Sequence, residues 1–110
     1  MNLAHLLVDR RQFTDAEMMA RDAIRVRALA SGSKSPNSAA AEGLLGMVLT
    51  REGRYDEADS LLRESLQTIE RQVSRRQLNV REIYGWLADL DAVMGRRDDA
   101  ARHRAIANAR

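Results

Sequence analysis

The sequence predicts an all-α fold of about six helices arranged as antiparallel pairs. Apolar side chains recur at helical spacing, residues typical of tight turns are scarce, and one pattern repeats every 42 residues. The 110 residues include six glycines and one proline, too few for an all-β protein with many turns. Because aromatic residues make up only 4% of the chain, we expect a core of aliphatic side chains, methionine and alanine.

The repeat is visible at positions that keep their character after a shift of 42 residues. Small, large apolar and acidic positions all recur together, which predicts three copies of one unit, at about 1–34, 38–76 and 79–110. The matching sets are Leu3/Leu45/Leu87, Ala4/Gly46/Ala88, Leu6/Val48/Leu90, Asp15/Glu57/Asp99 and Ala16/Ala58/Ala100.

Each copy is predicted to form two helices, bounded by recognisable start and stop signals. In the first copy, Thr14 and Glu17 fit a capping box at the start of the second helix. The segment 31–38, SGSKSPNS, is predicted as a loop because it contains Pro36 among small polar residues. These signals place the first copy's helices at 2–11 and 14–31.

The second and third copies follow the same order. Gly53 is predicted to end one helix in a left-handed conformation, and Asp56 to cap the next. Asn79 is predicted to cap the fifth helix, which continues to Gly95. The remaining predicted helices are 38–52, 56–74, 79–94 and 98–109.

The recurring small residues have a physical reason. Two helices approach to the short end of the usual spacing of about 8–10 Å only where their side chains are small. Because a single pair leaves one apolar face bare, the copies are expected to stack.

The three copies carry a leucine–small pair, a glycine, an aromatic residue and an alanine in one order. The residues are Leu3, Ala4, Phe13 and Ala16, then Leu45, Gly46, Gly53, Tyr55 and Ala58, then Leu87, Ala88, Gly95 and Ala100. This pattern resembles the tetratricopeptide repeat, and the 42-residue spacing resembles the kinesin-light-chain type. The resemblance implies a right-handed superhelical stack of helix pairs, an α-solenoid, that binds proteins or peptides without catalysing a reaction.

The sequence departs from the repeat at its two ends. Arg11 replaces the glycine, Arg97 replaces the aromatic residue, and Asp91 stands where Leu7 and Leu49 stand in the other copies. The polar last helix predicts that the third copy is a C-terminal cap. The first helix begins abruptly, so either more sequence precedes it in the natural protein or this helix is short.

In the family, the first helices of successive pairs line a concave groove. The resemblance therefore implies a peptide-binding surface on those helices of this chain. Gly43 and Gly85 would make room for a ligand there, and Arg51 could bind a carboxylate. The mixed charges predict a partner of mixed or basic charge rather than an acidic one. The predicted site residues are His5, Asp9, Met47, Arg51, Glu82, Asp89 and Val93.

Several other functions are disfavoured by the sequence. No nucleophile elbow, zinc-protease motif or phosphate loop is present, so we expect no enzyme, no cofactor and no metal site. Trp86 falls in an apolar stripe and is predicted to pack between helices rather than to stack on a ligand. Cysteine is absent and no apolar run could cross a bilayer, so we expect a cytoplasmic protein without a membrane partner.

Two alternatives to peptide binding stay open. The segment could self-associate, as a homo-oligomer or a spacer within a larger signalling or regulatory protein, through the end left bare by the first helix. Nucleic acid could bind a basic patch, but 17 arginines and one lysine leave a net charge of only +2. That patch consists of Arg71, Arg75, Arg76 and Arg81.

Overall fold

The computed structural model describes residues 3–73 and 78–109, and that part of the chain is all-α, as predicted. Six helices follow one another through these residues, joined by short turns and two longer connections. They are α1 (Leu3–Asp9), α2 (Phe13–Ser31), α3 (Pro36–Arg51), α4 (Tyr55–Glu70), α5 (Leu78–Val93) and α6 (Arg97–Asn108).

The turn inside each helix pair has the same backbone conformation in all three pairs. Arg11, Gly53 and Gly95 each adopt a positive φ, of 59°, 83° and 78°. The amide of the next residue then donates to a carbonyl five residues back, over 2.7 to 2.9 Å. These hydrogen bonds satisfy carbonyls that the end of a helix leaves free. The 42-residue spacing of the sequence is therefore also a spacing of the backbone.

The predicted helix caps at Thr14 and Asp56 are wrong. The residues at the N-cap positions are Gln12 and Arg54, and neither side chain caps its helix. Because the left-handed residue turns the chain directly into the next helix, each helix begins one residue before the predicted start. Asp56 instead lies in the first turn of α4, where its charge favours the helix dipole.

The start of α3 lies inside the segment predicted as a loop. Ser35 is the N-cap, and its hydroxyl accepts a hydrogen bond of 3.1 Å from the Ser38 amide. Pro36 occupies the first helical position, where its missing N–H costs nothing and its fixed φ suits the helix. The sequence SPNS is thus a helix start rather than a break.

The helices flanking the longer second connection also differ from prediction. α4 ends at Glu70, and the amides of Gln72 and Val73 both donate to the Ile69 carbonyl over 3.0 Å. The predicted end at residue 74 lies outside the described residues. Asn79 lies within α5 rather than before it.

Helix contacts place α1, α3 and α5 in one layer. α3 contacts both α1 and α5, and each helix packs against the next one along the chain. Within residues 3–73 and 78–109, α2, α4 and α6 make no such direct contacts with one another. The first helices of the pairs are therefore the inner layer, and the second helices are the outer layer.

The small residues predicted to allow close approach are buried. Ala4, Ala16, Ala58 and Ala88 have exposed fractions of at most 1%. At Gly46, a Cβ atom would lie 2.6 Å from Leu62 Cγ, so only glycine allows this approach of α3 to α4. Ala100, at the end of the stack, is half-buried.

Matching ion pairs join successive helix pairs on the outer layer. Arg54 bonds to Glu17 of α2, and Arg96 donates to Asp59 of α4 over 2.9 Å. Both pairs span 37 residues, so the second pair is the first one shifted by one repeat. Arg54 also donates to Glu57 over 2.8 Å, and this bond lowers the pKa of the Glu57 carboxyl.

Among the described helices, none is both long enough and apolar enough to cross a membrane.

Candidate functional site

The inner face is the side of α1, α3 and α5 that points away from α2, α4 and α6. Positions that differ by 42 residues are expected side by side on it, because the three helices end in equivalent turns. Two rows of predicted site residues result from this register. One row is His5, Met47 and Asp89, and the other is Asp9, Arg51 and Val93.

An aromatic contact occupies the middle of the inner face. The rings of His5 on α1 and Trp86 on α5 have centroids 5.7 Å apart, with an angle of 41° between their planes. Trp86 is half-buried and packs against both hydrophobic clusters of the molecule, as predicted for a side chain between helices. Leu44 of α3 also packs against both clusters, so we call Leu44 and Trp86 the apolar floor of the inner face.

The structure corrects the assignment of Met47 to the binding surface. Met47 has an exposed fraction of 5% and packs with Val8, Ala16 and Val48 in a buried cluster. The bulky Trp86 side chain packs against the same cluster, whereas the repeat carries leucine at the matching position 44. Met47 therefore supports the floor from below and offers almost no surface to a partner.

Gly43 does not make room for a ligand, contrary to the prediction. A Cβ at Gly43 would lie 2.8 Å from Ile83 Cγ1, so this glycine allows α5 to dock closely on α3. At Gly85 the nearest atoms would be 3.8 Å away, on Ala107 and Arg104. The two glycines match in the repeat but differ in packing, because α5 lies against Gly43, whereas among the described residues no helix of a following pair lies against Gly85.

Three of the predicted charged residues are exposed and unpaired. Asp9, Arg51 and Glu82 lie on α1, α3 and α5 respectively, and each is exposed. Within the part of the chain that the structure describes, none of the three forms an ion pair. They therefore leave one cationic and two anionic groups free for a partner on the helices that carry the apolar floor.

A cleft of about 320 Å³ opens at the C-terminal end of the inner face. Glu82, Trp86 and Asp89 line its α5 side, and Arg104 reaches across from α6 to bond to the Asp89 carboxylate. Two predicted site residues thus share this cleft with Trp86. The residues at these positions differ in the preceding helix pair. Glu82, Trp86, Asp89 and Arg104 correspond there to Ala40, Leu44, Met47 and Leu62.

The last predicted site residue is an exposed apolar side chain. Val93 has an exposed fraction of 56% at the C-terminal end of α5, beyond the cleft. The sequence reasoning missed Leu44 as a floor residue and did not place Trp86 on the inner face. The signal was available, because 44 and 86 share one repeat position and Trp86 lies one turn from both Glu82 and Asp89.

A buried polar cluster joins α4, α5 and α6 on the other side of α5. Asp91 is fully buried, with His103 Nδ1 at 2.6 Å from its Oδ2 and Arg96 Nε at 3.1 Å from its Oδ1. Arg96 also binds Asp59. Burial is the largest influence on the pKa of Asp59 and raises it, but the bonds and charges of Arg96 and Arg63 together lower that pKa. Asp91, which stands where the other two copies have leucine, therefore joins the helices of the last pair through buried polar contacts.

The predicted basic patch of Arg71, Arg75, Arg76 and Arg81 lies partly within the described residues. Arg75 and Arg76 lie outside the described residues. Arg71 is exposed after α4, while Arg81 Nε donates to the Ala107 carbonyl over 3.2 Å. Arg81 thus binds the C-terminal end of α6. Among the described residues, no group of three potential metal ligands lies close together.

Comparison with known proteins agrees with the repeat. A family model described as tetratricopeptide repeat matches residues 1–71, which include the first helix pair, α3 and α4. A search of curated proteins found no match to the chain.

Proposed function

Because the chain belongs to the tetratricopeptide repeat family, we propose that it is a non-catalytic scaffold that binds a protein or peptide segment on its inner face. Members of this family generally mediate protein–protein interaction. The proposal is carried by three exposed charges on the inner helices, Asp9, Arg51 and Glu82, which form no ion pair among the described residues, together with the half-buried Trp86. Exposed charges beside a half-buried aromatic side chain are typical of interfaces in which an anchor is surrounded by a polar rim.

The charge pattern supports one kind of partner. An acidic side chain would bind Arg51, and basic side chains would bind Asp9 and Glu82. An apolar or cationic group would lie against the exposed part of Trp86, since a cation is attracted to the face of an indole. Asp89 contributes less, because Arg104 already binds its carboxylate. We therefore propose a segment of mixed charge with one central anchor.

The proposed domain is a single unit of three repeats, at about 1–34, 38–76 and 79–110, of the 42-residue type. The recurrence of the turn at Arg11, Gly53 and Gly95 supports this division. The absence of cysteine is consistent with the cytoplasm as its proposed location.

The test begins with selection of 12-residue peptides from a random phage-displayed library on the wild-type chain. Affinity of the selected peptides is then measured by calorimetry for wild type, Arg51→Glu and Arg102→Glu. Arg102 is a matched control because it is an exposed arginine on α6 whose one ion pair among the described residues is with Asp99 of the same helix. Arg51→Glu should weaken binding at least about tenfold, which corresponds to about 1.4 kcal/mol.

Arg102→Glu should leave the affinity of the same peptides unchanged within about twofold. Equal affinity for wild type and Arg51→Glu would show that the peptides bind elsewhere, and the inner-face assignment would then be wrong. Amide chemical shifts give the same answer residue by residue, because peptide should perturb α1, α3 and α5 more than α2, α4 and α6.

A further inference from the structure

Helix α2 exposes three large apolar side chains, those of Met18, Val26 and Leu29. Met18 and Leu29 have exposed fractions of 64% and 79%, higher than the other exposed large hydrophobic residues of the described chain. The matching positions of the second pair are Ser60 in α4 and Arg71 directly after it. Exposure of apolar residues at these positions is therefore specific to α2 and is not a property of the repeat.

Met18, Asp22, Arg25 and Leu29 lie on one seam of α2. Their spacing of four, three and four residues keeps them on the same side of a helix, as in a coiled-coil stripe. Asp22 and Arg25 bond to each other within the helix, and both side chains are well exposed. Neither forms an ion pair with another helix in the part of the chain that the structure describes.

The seam is complementary to itself when a second copy runs antiparallel. With the symmetry axis between Ala23 and Ile24, Met18 lies opposite Leu29 of the other copy, and Asp22 lies opposite Arg25. Two apolar contacts and two ion pairs then form at once, as an isologous two-fold interface requires. A parallel arrangement would place Asp22 against Asp22, which is repulsive.

We propose that this seam is a homodimer interface, occupied by α2 of a second copy in antiparallel orientation. The charged pair at the centre specifies register and direction, as polar residues in a coiled-coil seam do at some cost in affinity. α2 has 19 residues and is therefore about 28 Å long, so one helix pair buries less than a standard interface of about 1,600 Å². The dimer is accordingly weak, with a dissociation constant between about 10 μM and 1 mM.

The interface leaves the inner face free, because α2 belongs to the outer layer. A dimer would present two inner faces and so could bind two copies of a partner segment, or one segment with two motifs, with increased avidity. The dimer does not depend on the proposed peptide binding, and either could be disproved without the other.

The test is a charge exchange measured by sedimentation equilibrium of the full chain from about 10 μM to 1 mM. Asp22→Arg gives a seam with two arginines, and Arg25→Asp gives a seam with two aspartates. Each variant alone should self-associate at least tenfold more weakly than wild type, because like charges face each other. An equimolar mixture should form a heterodimer within about threefold of the wild-type affinity.

Glu64→Arg is the matched control, because Glu64 occupies the position of Asp22 on α4 and should not affect self-association. Circular dichroism melts establish that the variants are folded. A monomeric wild type at 1 mM, single variants that associate as wild type does, or a mixture without heterodimer would each overturn the proposal.

The antiparallel orientation of the two α2 helices is tested with cysteine variants, since the chain has no cysteine. Mixed Met18→Cys and Leu29→Cys chains should form a heterodisulfide in preference to homodisulfides.

Discussion

At the scale of single residues, the left-handed residue in the turn between the two helices of each pair shows what the repeat requires. Gly53 and Gly95 adopt it freely, whereas Arg11 adopts it with a side chain. A left-handed conformation costs a residue with a Cβ atom roughly 1–2 kcal/mol. The turn hydrogen bonds are the same in all three pairs, so Arg11 is held in this conformation by the turn rather than by its own preference.

Arg11→Gly should therefore stabilise the protein by about 0.5–1 kcal/mol. The relief of backbone strain is partly offset by the greater flexibility that glycine has in the unfolded chain. Gly53→Ala is the converse change and should cost about 1 kcal/mol, although a Cβ at Gly53 would meet no atom within 4 Å. Urea denaturation of the two variants measures both effects. Two changes of the same sign would contradict this explanation of the turn.

The carboxyl group of Glu42 gives a pH-dependent prediction. Burial raises its pKa, the nearby Glu64 raises it further, and Lys34 lowers it. A carboxyl whose pKa is raised on folding favours the folded state below the unfolded pKa, about 4.3, and this contribution is lost as pH rises through the folded pKa. Glu42→Gln should therefore be more stable than wild type at pH 7. In thermal melts at pH 3.5 the difference should disappear, and a constant difference would contradict this reasoning.

At the scale of helices, the fit of one pair on the next depends on glycine at a single repeat position. Ile83 of α5 lies against Gly43, while the corresponding side of Gly85 is open. Because a Cβ at Gly43 would be only 2.8 Å from Ile83, α5 cannot dock on an alanine there without moving.

Gly43→Ala and Gly85→Ala should consequently change stability in opposite directions. Overpacking at Gly43 costs about 1–3 kcal/mol, of which about 1 kcal/mol is recovered because alanine favours the helix. Gly85→Ala introduces no close contact and should stabilise α5 by about 0.5–1 kcal/mol. The free energy of unfolding in urea compares them directly, and destabilisation by Gly85→Ala as large as that by Gly43→Ala would contradict the packing described here.

The buried Asp91–His103 contact is the second determinant of packing at this scale. His103→Leu removes the partner nearest to a fully buried carboxylate and should cost roughly 3 kcal/mol. The double variant Asp91→Leu with His103→Leu restores the leucines that the repeat has at positions 49 and 61. It should lie within about 1 kcal/mol of wild type or exceed it in stability, because well-packed apolar residues often replace a buried ion pair without loss. Additive losses in chemical denaturation would show that the two residues act independently.

At the scale of the whole molecule, much of the architecture could be predicted from the sequence. The 42-residue pattern predicted six helices and close packing at the small residues, and a left-handed conformation was predicted at Gly53. The helix starts at Phe13, Pro36 and Tyr55 could not be placed correctly. The left-handed turn starts α2 and α4 without a side-chain cap, and the cap of α3, Ser35, lies within the segment predicted as a loop. Local cap signals were weaker guides than the repeat itself.

The binding surface was harder to predict for a physical reason. Repeat position identifies which side of a helix a residue occupies, but exposure depends on what neighbouring side chains cover. Met47 is buried in the cluster against which Trp86 packs, although the equivalent residue Asp89 is exposed. Ile83 occupies the space beside Gly43, although the equivalent side of Gly85 is open. Asp9, Arg51 and Glu82, by contrast, are exposed.

The central claim is that three helix pairs lie in register and present equivalent positions in a row on one face. Spin labels on cysteines introduced in pairs at Asp9, Arg51 and Val93 test it directly by dipolar electron paramagnetic resonance. Neighbouring helix axes should be about 8–10 Å apart, so the 9–51 and 51–93 distances should agree and be clearly shorter than the 9–93 distance. A 9–93 distance shorter than either neighbouring distance, or two neighbouring distances that differ severalfold, would contradict the stack.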